Sequence, residues 1–134
     1  MAAQFHLEII TPTQVFDEGD VDYVRAPGVD GAFGVMAGHT ASIMALAMGE
    51  VKVVKGKVES IYAATRGFAE ITESGVHLLV ESAEPKADID QERAQRAADR
   101  AKELLTRKHE DAIDEGRAEI ALKRAINRLK VAGK

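Results

Sequence analysis

Glu84-Pro85-Lys86-Ala87-Asp88-Ile89-Asp90-Gln91-Glu92-Arg93-Ala94, residues 84–94, is where the chain changes its grammar. Pro85 is the last of three prolines, and nine of the eleven glycines lie before Lys86. From Asp90 to Arg107 there is no Gly, Pro or aromatic residue. Charge divides at the same place. Residues 1–85 hold 5 of the 18 Lys/Arg and 12 of the 22 Asp/Glu, net −7; residues 86–134 hold the other 13 and 10, net +3. The reading is two architectures, residues 1–85 and residues 86–134, within 134 residues.

Downstream of the junction the pattern is helical. Ala94, Ala97, Ala98, Ala101 and Leu105 recur at the 3.6-residue period, and so do Ala118, Ala121, Leu122, Ala125 and Leu129. Asp88 or Asp90 is placed to cap the first helix. The polar run Lys108-His109-Glu110-Asp111 separates the two, which predicts an antiparallel helical hairpin. Gly116 weakens the start of the second helix by about 1 kcal/mol relative to Ala. An alanine seam permits close approach but buries little area, so the hairpin is expected to be held weakly.

Upstream the pattern is β. Phe5, Leu7 and Ile9 alternate with polar residues up to Thr11-Pro12. Val21, Tyr23 and Arg25 share a second alternation, and Val51 and Val53 a third. Ile61 and Ala63, then Phe68 and Ile71, then Val76, Leu78 and Val80 complete the series. Short runs with turns every 8–12 residues predict an antiparallel sandwich or barrel. The apolar residues Val35, Met36, Ile43, Met44, Leu46 and Met48 belong either to this core or to a contact surface.

Composition excludes several function classes. There is no Cys, hence no disulfide framework, thiolate metal site or Cys nucleophile. A net charge of −4, 4% aromatics and no Trp fit neither a nucleic-acid binder nor a stacking platform. No run of 18 apolar residues spans a membrane, and residues 1–8 lack the pattern of a signal peptide, so a cytosolic-type compartment is expected. Gly49 to Gly56-Lys57 has the wrong spacing for a phosphate loop, and Val58 stands where Ser or Thr is needed. Gly28, Gly31 and Gly34 read as turn glycines. His6, His39, His77 and His109 are scattered without ligand spacing, so no metal site is expected. Ser42, Ser60, Ser74 and Ser82 sit in no nucleophile elbow, so no catalytic residues are expected and the chain reads as a non-enzyme.

What remains is arginine. Arg93 and Arg100 share a face of the first helix, and Arg124 and Arg128 a face of the second. Guanidinium forks match phosphate oxygens, so convergence of the two faces suits a polyphosphate. The bland alternative is a solvated face neutralised by Glu92, Asp99, Glu103 and Glu119.

Ile89-Asp90-Gln91-Glu92-Arg93-Ala94 resembles the Ile/Leu-Asp-x-x-Arg-Ala motif of the epsilon subunit of bacterial rotary (F-type) ATP synthases. Leu7-Glu8-Ile9-Ile10-Thr11-Pro12 is similar to that family's first strand and turn. Gly34-Val35-Met36-Ala37-Gly38-His39 is similar to its Gly-x-x-x-Gly-His loop, and Arg66-Gly67-Phe68-Ala69-Glu70-Ile71 to its Gly-Gly-Phe segment. Residues 121–129 resemble its final helix. The chain departs from the pattern at Ala37 and Ala41, where the family carries Pro, and at Arg66.

The resemblance implies a ten-stranded β-sandwich followed by two helices. It implies a non-catalytic rotor subunit of the central stalk, coupling the catalytic head to the c-ring of a proton-translocating ATP synthase. The sandwich is expected to dock on the gamma subunit and the c-ring. The hairpin is expected to switch between a folded form and an extended form that reaches the alpha/beta catalytic subunits and inhibits ATP hydrolysis. ATP enters as a regulatory ligand of the folded form, with no cofactor required. The residues matching the family's ATP site are Glu84, Ile89, Asp90, Arg93, Ala94, Arg100, Arg124 and Arg128. The expected location is the cytoplasmic face of the bacterial inner membrane, peripheral and without membrane insertion. The alternative reading is a free-standing ATP-sensing module with no rotor partner.

Overall fold

A computed structural model describes residues 3–107 and 114–134. The chain divides into two compact units, Met1–Pro85 and Lys86–Lys134. The first holds ten strands: β1 Phe5–Ile10, β2 Val15–Val21, β3 Tyr23–Gly28, β4 Gly31–Val35, β5 Ser42–Leu46, β6 Gly49–Lys55, β7 Val58–Ala64, β8 Gly67–Thr72, β9 Gly75–Val80 and β10 Ala83–Pro85. The hydrogen-bonded order is β10-β7-β6-β3-β5-β8-β9-β1-β2, with β4 on β3. β1 pairs with β9 in parallel, and the other pairs are antiparallel.

This path folds over on itself into a sandwich, which its two ends demonstrate. β2 and β7 are far apart in ladder order, yet Phe16 meets Tyr62 edge to face with ring centroids 5.3 Å apart. The Tyr62 hydroxyl donates to Glu18, and Lys55 of β6 pairs with the same carboxylate at 3.0 Å. Between the layers lie Leu7, Ile9, Val24, Val51, Val53, Ile71, Val76 and Leu78, all buried. Strict alternation explains β1, β6 and β9: Leu7, Ile9, Val51, Val53, Val76, Leu78 and Val80 are buried, and Phe5 packs half-buried against them.

Elsewhere the pleat runs differently from the sequence expectation. Val21, Tyr23 and Arg25 do not share a face. Asp22 is a turn residue between β2 and β3, its N–H bonded to Val54 and its carboxylate accepting from Gly56, so the phase resets. Val24 and Ala26 carry the core in β3, and Arg25 is exposed. In β7 the core cluster takes Tyr62 and Ala64, not Ile61 and Ala63, although Ala63 is also buried. Phe68 and Ile71 are three apart, an odd spacing that puts them on opposite faces; Ile71 is buried and Phe68 exposed. Of the uncertain apolar set, Val35 and Leu46 are core, Met44 packs against it, and Met36 and Ile43 are exposed.

The glycine motifs resolve into hairpins. Gly49 opens β6, and Gly56, at φ +60°, turns β6 into β7, so no strand-to-helix phosphate loop exists there. Gly28 and Gly31 flank the β3–β4 turn, but Gly34 lies inside β4, where a side chain would strike the Tyr23 ring.

The second unit is a 3-10 turn at Lys86–Asp88, then α1 Gln91–Thr106 and α2 Glu115–Ala132. The two helices pack together. Lys86, ahead of α1, donates to the backbone carbonyl of Lys134, beyond α2, so the helices run antiparallel. The seam buries Ala94, Ala98 and Ala101 against Ala118 and Ala125, with Leu122 and Leu129 half-buried. Ala121, expected in the seam, is exposed, because its helical phase is displaced from that of Ala118 and Ala125. The polar break at residues 108–111 and the expectation about His109 lie outside the described residues.

Candidate functional site

The start of α1 is set by Asp90. It adopts an extended conformation as N-cap, and its Oδ1 accepts from the Arg93 N–H at 3.0 Å while its carbonyl accepts from the Ala94 N–H at 3.0 Å. Asp88 ends the preceding 3-10 turn and is not the cap. Asp114 caps α2 the same way through the Arg117 N–H at 3.1 Å. Asp90→Ala is expected to destabilise the helical unit by about 1 kcal/mol, with Asp90→Asn nearly neutral. Thermal melts followed by helical ellipticity check this.

Seven of the eight expected ATP-site residues belong to the helical unit. Ala94 is buried in the seam, Ile89 and Arg128 are half-buried, and Asp90, Arg93, Arg100 and Arg124 are exposed. Glu84 is half-buried in β10, opposite Ala63 of β7, in the other unit.

Helical phase decides which arginines come together. At about 100° per residue, Arg93 and Arg100 stand about 100–120° from Ala94, both on the same side. Arg124 and Arg128 stand about 80–120° from Ala118, in the same rotational sense. In an antiparallel pair, equal senses of offset from the seam fall on the same flank. All four guanidinium-bearing positions therefore line one flank of the hairpin, joined by Arg117 on α2. Glu119 falls on the opposite flank, and Glu92, Asp99 and Glu103 lie toward the back of α1. Among the described residues, Arg93, Arg100 and Arg124 make no ion pair with a carboxylate within 4.0 Å, whereas Arg107 reaches Glu103 at 3.7 Å. Like charge therefore runs along this flank.

The sandwich carries a second feature, which sequence reading missed. On the outer face of β5, β8 and β9, Ile43 is 73% exposed, Phe68 56% and Leu79 40%. Register places Ala45 beside Phe68 and Phe68 beside Leu79, while Ile43, two residues from Ala45 on the same face, stands opposite Glu70. This face borders a groove also lined by Ile10, Pro12 and Leu46, with Arg66 and Glu81 at its edge. Arg66 Nε donates to Glu81 at 2.8 Å, and that hydrogen bond and charge raise the guanidinium pKa. A side chain at Gly67 would collide with the Leu79 carbonyl, which keeps β8 tight against β9 here. Isolated apolar residues are ordinary on a surface, but a contiguous apolar patch marks a contact.

Parallel pairing of β1 with β9 puts His77 beside Glu8, whose Oε1 lies 3.5 Å from it and 3.7 Å from His6, two residues back on β1, with Asp17 3.1 Å from His6. Among the described residues, no group of three or more such side chains is arranged to hold a metal ion. No helix among the described residues is long and apolar enough to cross a membrane.

Two family models match. "ATP synthase, Delta/Epsilon chain, beta-sandwich domain" covers residues 4–86, and "ATP synthase, Delta/Epsilon chain, long alpha-helix domain" covers residues 87–133. The ATP synthase epsilon chain of Nitratidesulfovibrio vulgaris is 42% identical over 134 residues, spanning 99% of this chain and 98% of that protein. That of Halalkalibacterium halodurans is 40% identical over 129 residues, spanning 96% and 97%. Among solved structures, a chain of the Euglena gracilis mitochondrial ATP synthase OSCP/F1/c-ring assembly matches with TM-score 0.84 at 25% identity, covering 100% of this chain and 84% of that one. A chain of the Tetrahymena thermophila mitochondrial ATP synthase central stalk/c-ring matches in fold, with TM-score 0.57 at 12% identity. With both units matched and full-length relatives near 40% identity, this chain belongs to the epsilon-chain family of F-type ATP synthases, as a non-catalytic subunit of the central stalk.

Proposed function

We propose that this subunit couples the catalytic head to the c-ring in a proton-translocating ATP synthase at the cytoplasmic face of the bacterial membrane, and that its hairpin gates ATP hydrolysis in response to ATP. The apolar patch of Ile43, Phe68 and Leu79 is the docking face for the gamma subunit. The regulatory half rests on one observation: Arg93, Arg100, Arg124 and Arg128 share a flank from which the acidic residues of both helices are segregated.

In the folded hairpin that flank receives the triphosphate, with Asp90, Ile89 and Ala94 of the same unit beside it. Extension of α2 separates the two arginine pairs, so the extended form binds ATP poorly. A ligand shifts such an equilibrium only by its difference in affinity for the two states. At ATP a hundredfold above Kd the folded form gains about 2.7 kcal/mol. A seam of alanines, with little area per contact, is susceptible to a bias of that size. When ATP falls, the net-positive hairpin extends toward acidic surfaces of the alpha/beta catalytic subunits. ATP acts here as a regulatory ligand, not a cofactor.

Truncation after Asp88 tests the division of labour. The shortened subunit is expected to co-purify with gamma as well as the full chain does, and to relieve inhibition of ATP hydrolysis in the reconstituted complex. Loss of gamma binding on truncation sinks the assignment of docking to the sandwich.

A further inference from the structure

We infer that the hairpin is latched at the end where it joins the sandwich, by Lys86 and the last turn of α2; this rests on the two-state reading above. Lys86 is the first residue of the helical unit. Its ammonium donates to the Lys134 carbonyl, and the 3-10 turn it begins packs on α2. A helix C-terminus carries partial negative charge, and Lys134 follows the Gly133 cap of α2, so the Lys86 ammonium there complements the dipole. α2 closes with the Gly133 N–H on Leu129 and the Lys134 N–H on Val131, both carbonyls of its last turn. Lys86 adds a tie across 48 residues of sequence, where those two are local.

Val131 marks the same end. It is wholly buried and is the one side chain larger than alanine among the buried residues of α1 and α2. It is not a seam residue: 13 positions after Ala118 place it about 140° round the helix. It belongs to the final turn of α2, the stretch that the 3-10 turn packs on. The fully buried seam residues are alanines, with Leu122 and Leu129 half-buried beside them. The one larger side chain that α2 buries completely lies in its final turn, next to the junction at Pro85. A device built this way releases α2 from its tail, and anything that grips residues 131–134 competes directly with folding of the hairpin.

Amide hydrogen exchange on the full chain, without nucleotide, is the test. Lys86→Met keeps the stem and removes the donor. It is expected to speed exchange in the last two turns of α2 by about 3- to 10-fold, with the sandwich amides unchanged. Val131→Ala is expected to speed exchange along all of α2 by more than Lys86→Met does. Rates within 1.5-fold of wild type in both variants overturn the latch. ATP titration of the wild type is run alongside: absence of ATP protection removes the nucleotide reading and leaves the latch to be judged by the variants alone.

Discussion

Replacing Arg124 and Arg128 together with alanine is expected to weaken ATP binding by about 10²- to 10⁴-fold. Each hydrogen bond from a guanidinium to a phosphate contributes about 1.5–3 kcal/mol, and every 1.4 kcal/mol is tenfold in affinity. Both residues sit away from the seam, Arg124 exposed and Arg128 half-buried, so the hairpin should still form. Calorimetric titration measures the loss, and a thermal melt of the sandwich serves as the control. The double lysine variant separates charge from geometry. It retains both positive charges but no fork, and should recover only part of the affinity. An alanine variant that binds within threefold of wild type removes the arginine flank as the nucleotide site.

The largest effect on stability is expected from Leu78→Ala. Leu78 stands in β9 between Ile9 of β1 and Ala69 of β8, with 1% of its surface exposed. Truncating a leucine so enclosed costs about 3–5 kcal/mol, the transfer of its methyl groups plus the cavity left behind. For a unit of this size the melting temperature falls by roughly 12 °C or more. Its neighbour Leu79 points to the opposite face, 40% exposed in the apolar patch. Leu79→Ala should therefore leave the melt within about 1 kcal/mol of wild type while weakening association with gamma. Chemical denaturation of both variants, with a gamma pull-down, distinguishes a core residue from a contact residue one position away.

The contrast between Leu78 and Leu79 also shows what sequence periodicity resolves. β1 and β9 alternate without interruption, and their buried residues are readable directly. β3 is not, because Asp22 spends one residue on a turn that only its partners Val54 and Gly56 reveal. Tyr62 was invisible as core for a related reason: its ring is covered by Phe16 and its hydroxyl satisfied by Glu18, both on a strand remote in sequence. Phe68 carries the largest apolar side chain in β8 and faces outward. Hydrophobicity alone assigned it to the interior, whereas the pleat assigned it to the surface.

At the helical unit the balance differs. Spacing within each helix identified the paired arginines, since a single helix fixes which residues share a face. Whether the two faces meet depends on the direction of packing. The polar break predicted an antiparallel pair, and the tie from Lys86 to the end of α2 agrees with it. Phase within each helix sets Glu92, Asp99 and Glu119 apart from the arginines, and the packing direction puts the two arginine faces on one flank. His6 and His77 are a similar case: 71 residues apart, they share Glu8 because β1 lies parallel to β9.

That parallel pairing governs when the chain can fold. β1 is the first strand made and β9 nearly the last of its unit, so the sheet cannot complete its path until about residue 80 has left the ribosome. Pairing of such high sequence separation is slow, because the loop-closure entropy comes due before the contacts form. The hairpin, whose contacts are local, follows immediately and folds fast. Synthesis order thus hands the quick module a nearly finished platform, and any lesion that delays closure of β1 onto β9 leaves the first strand's unpaired edge open to aggregation during translation.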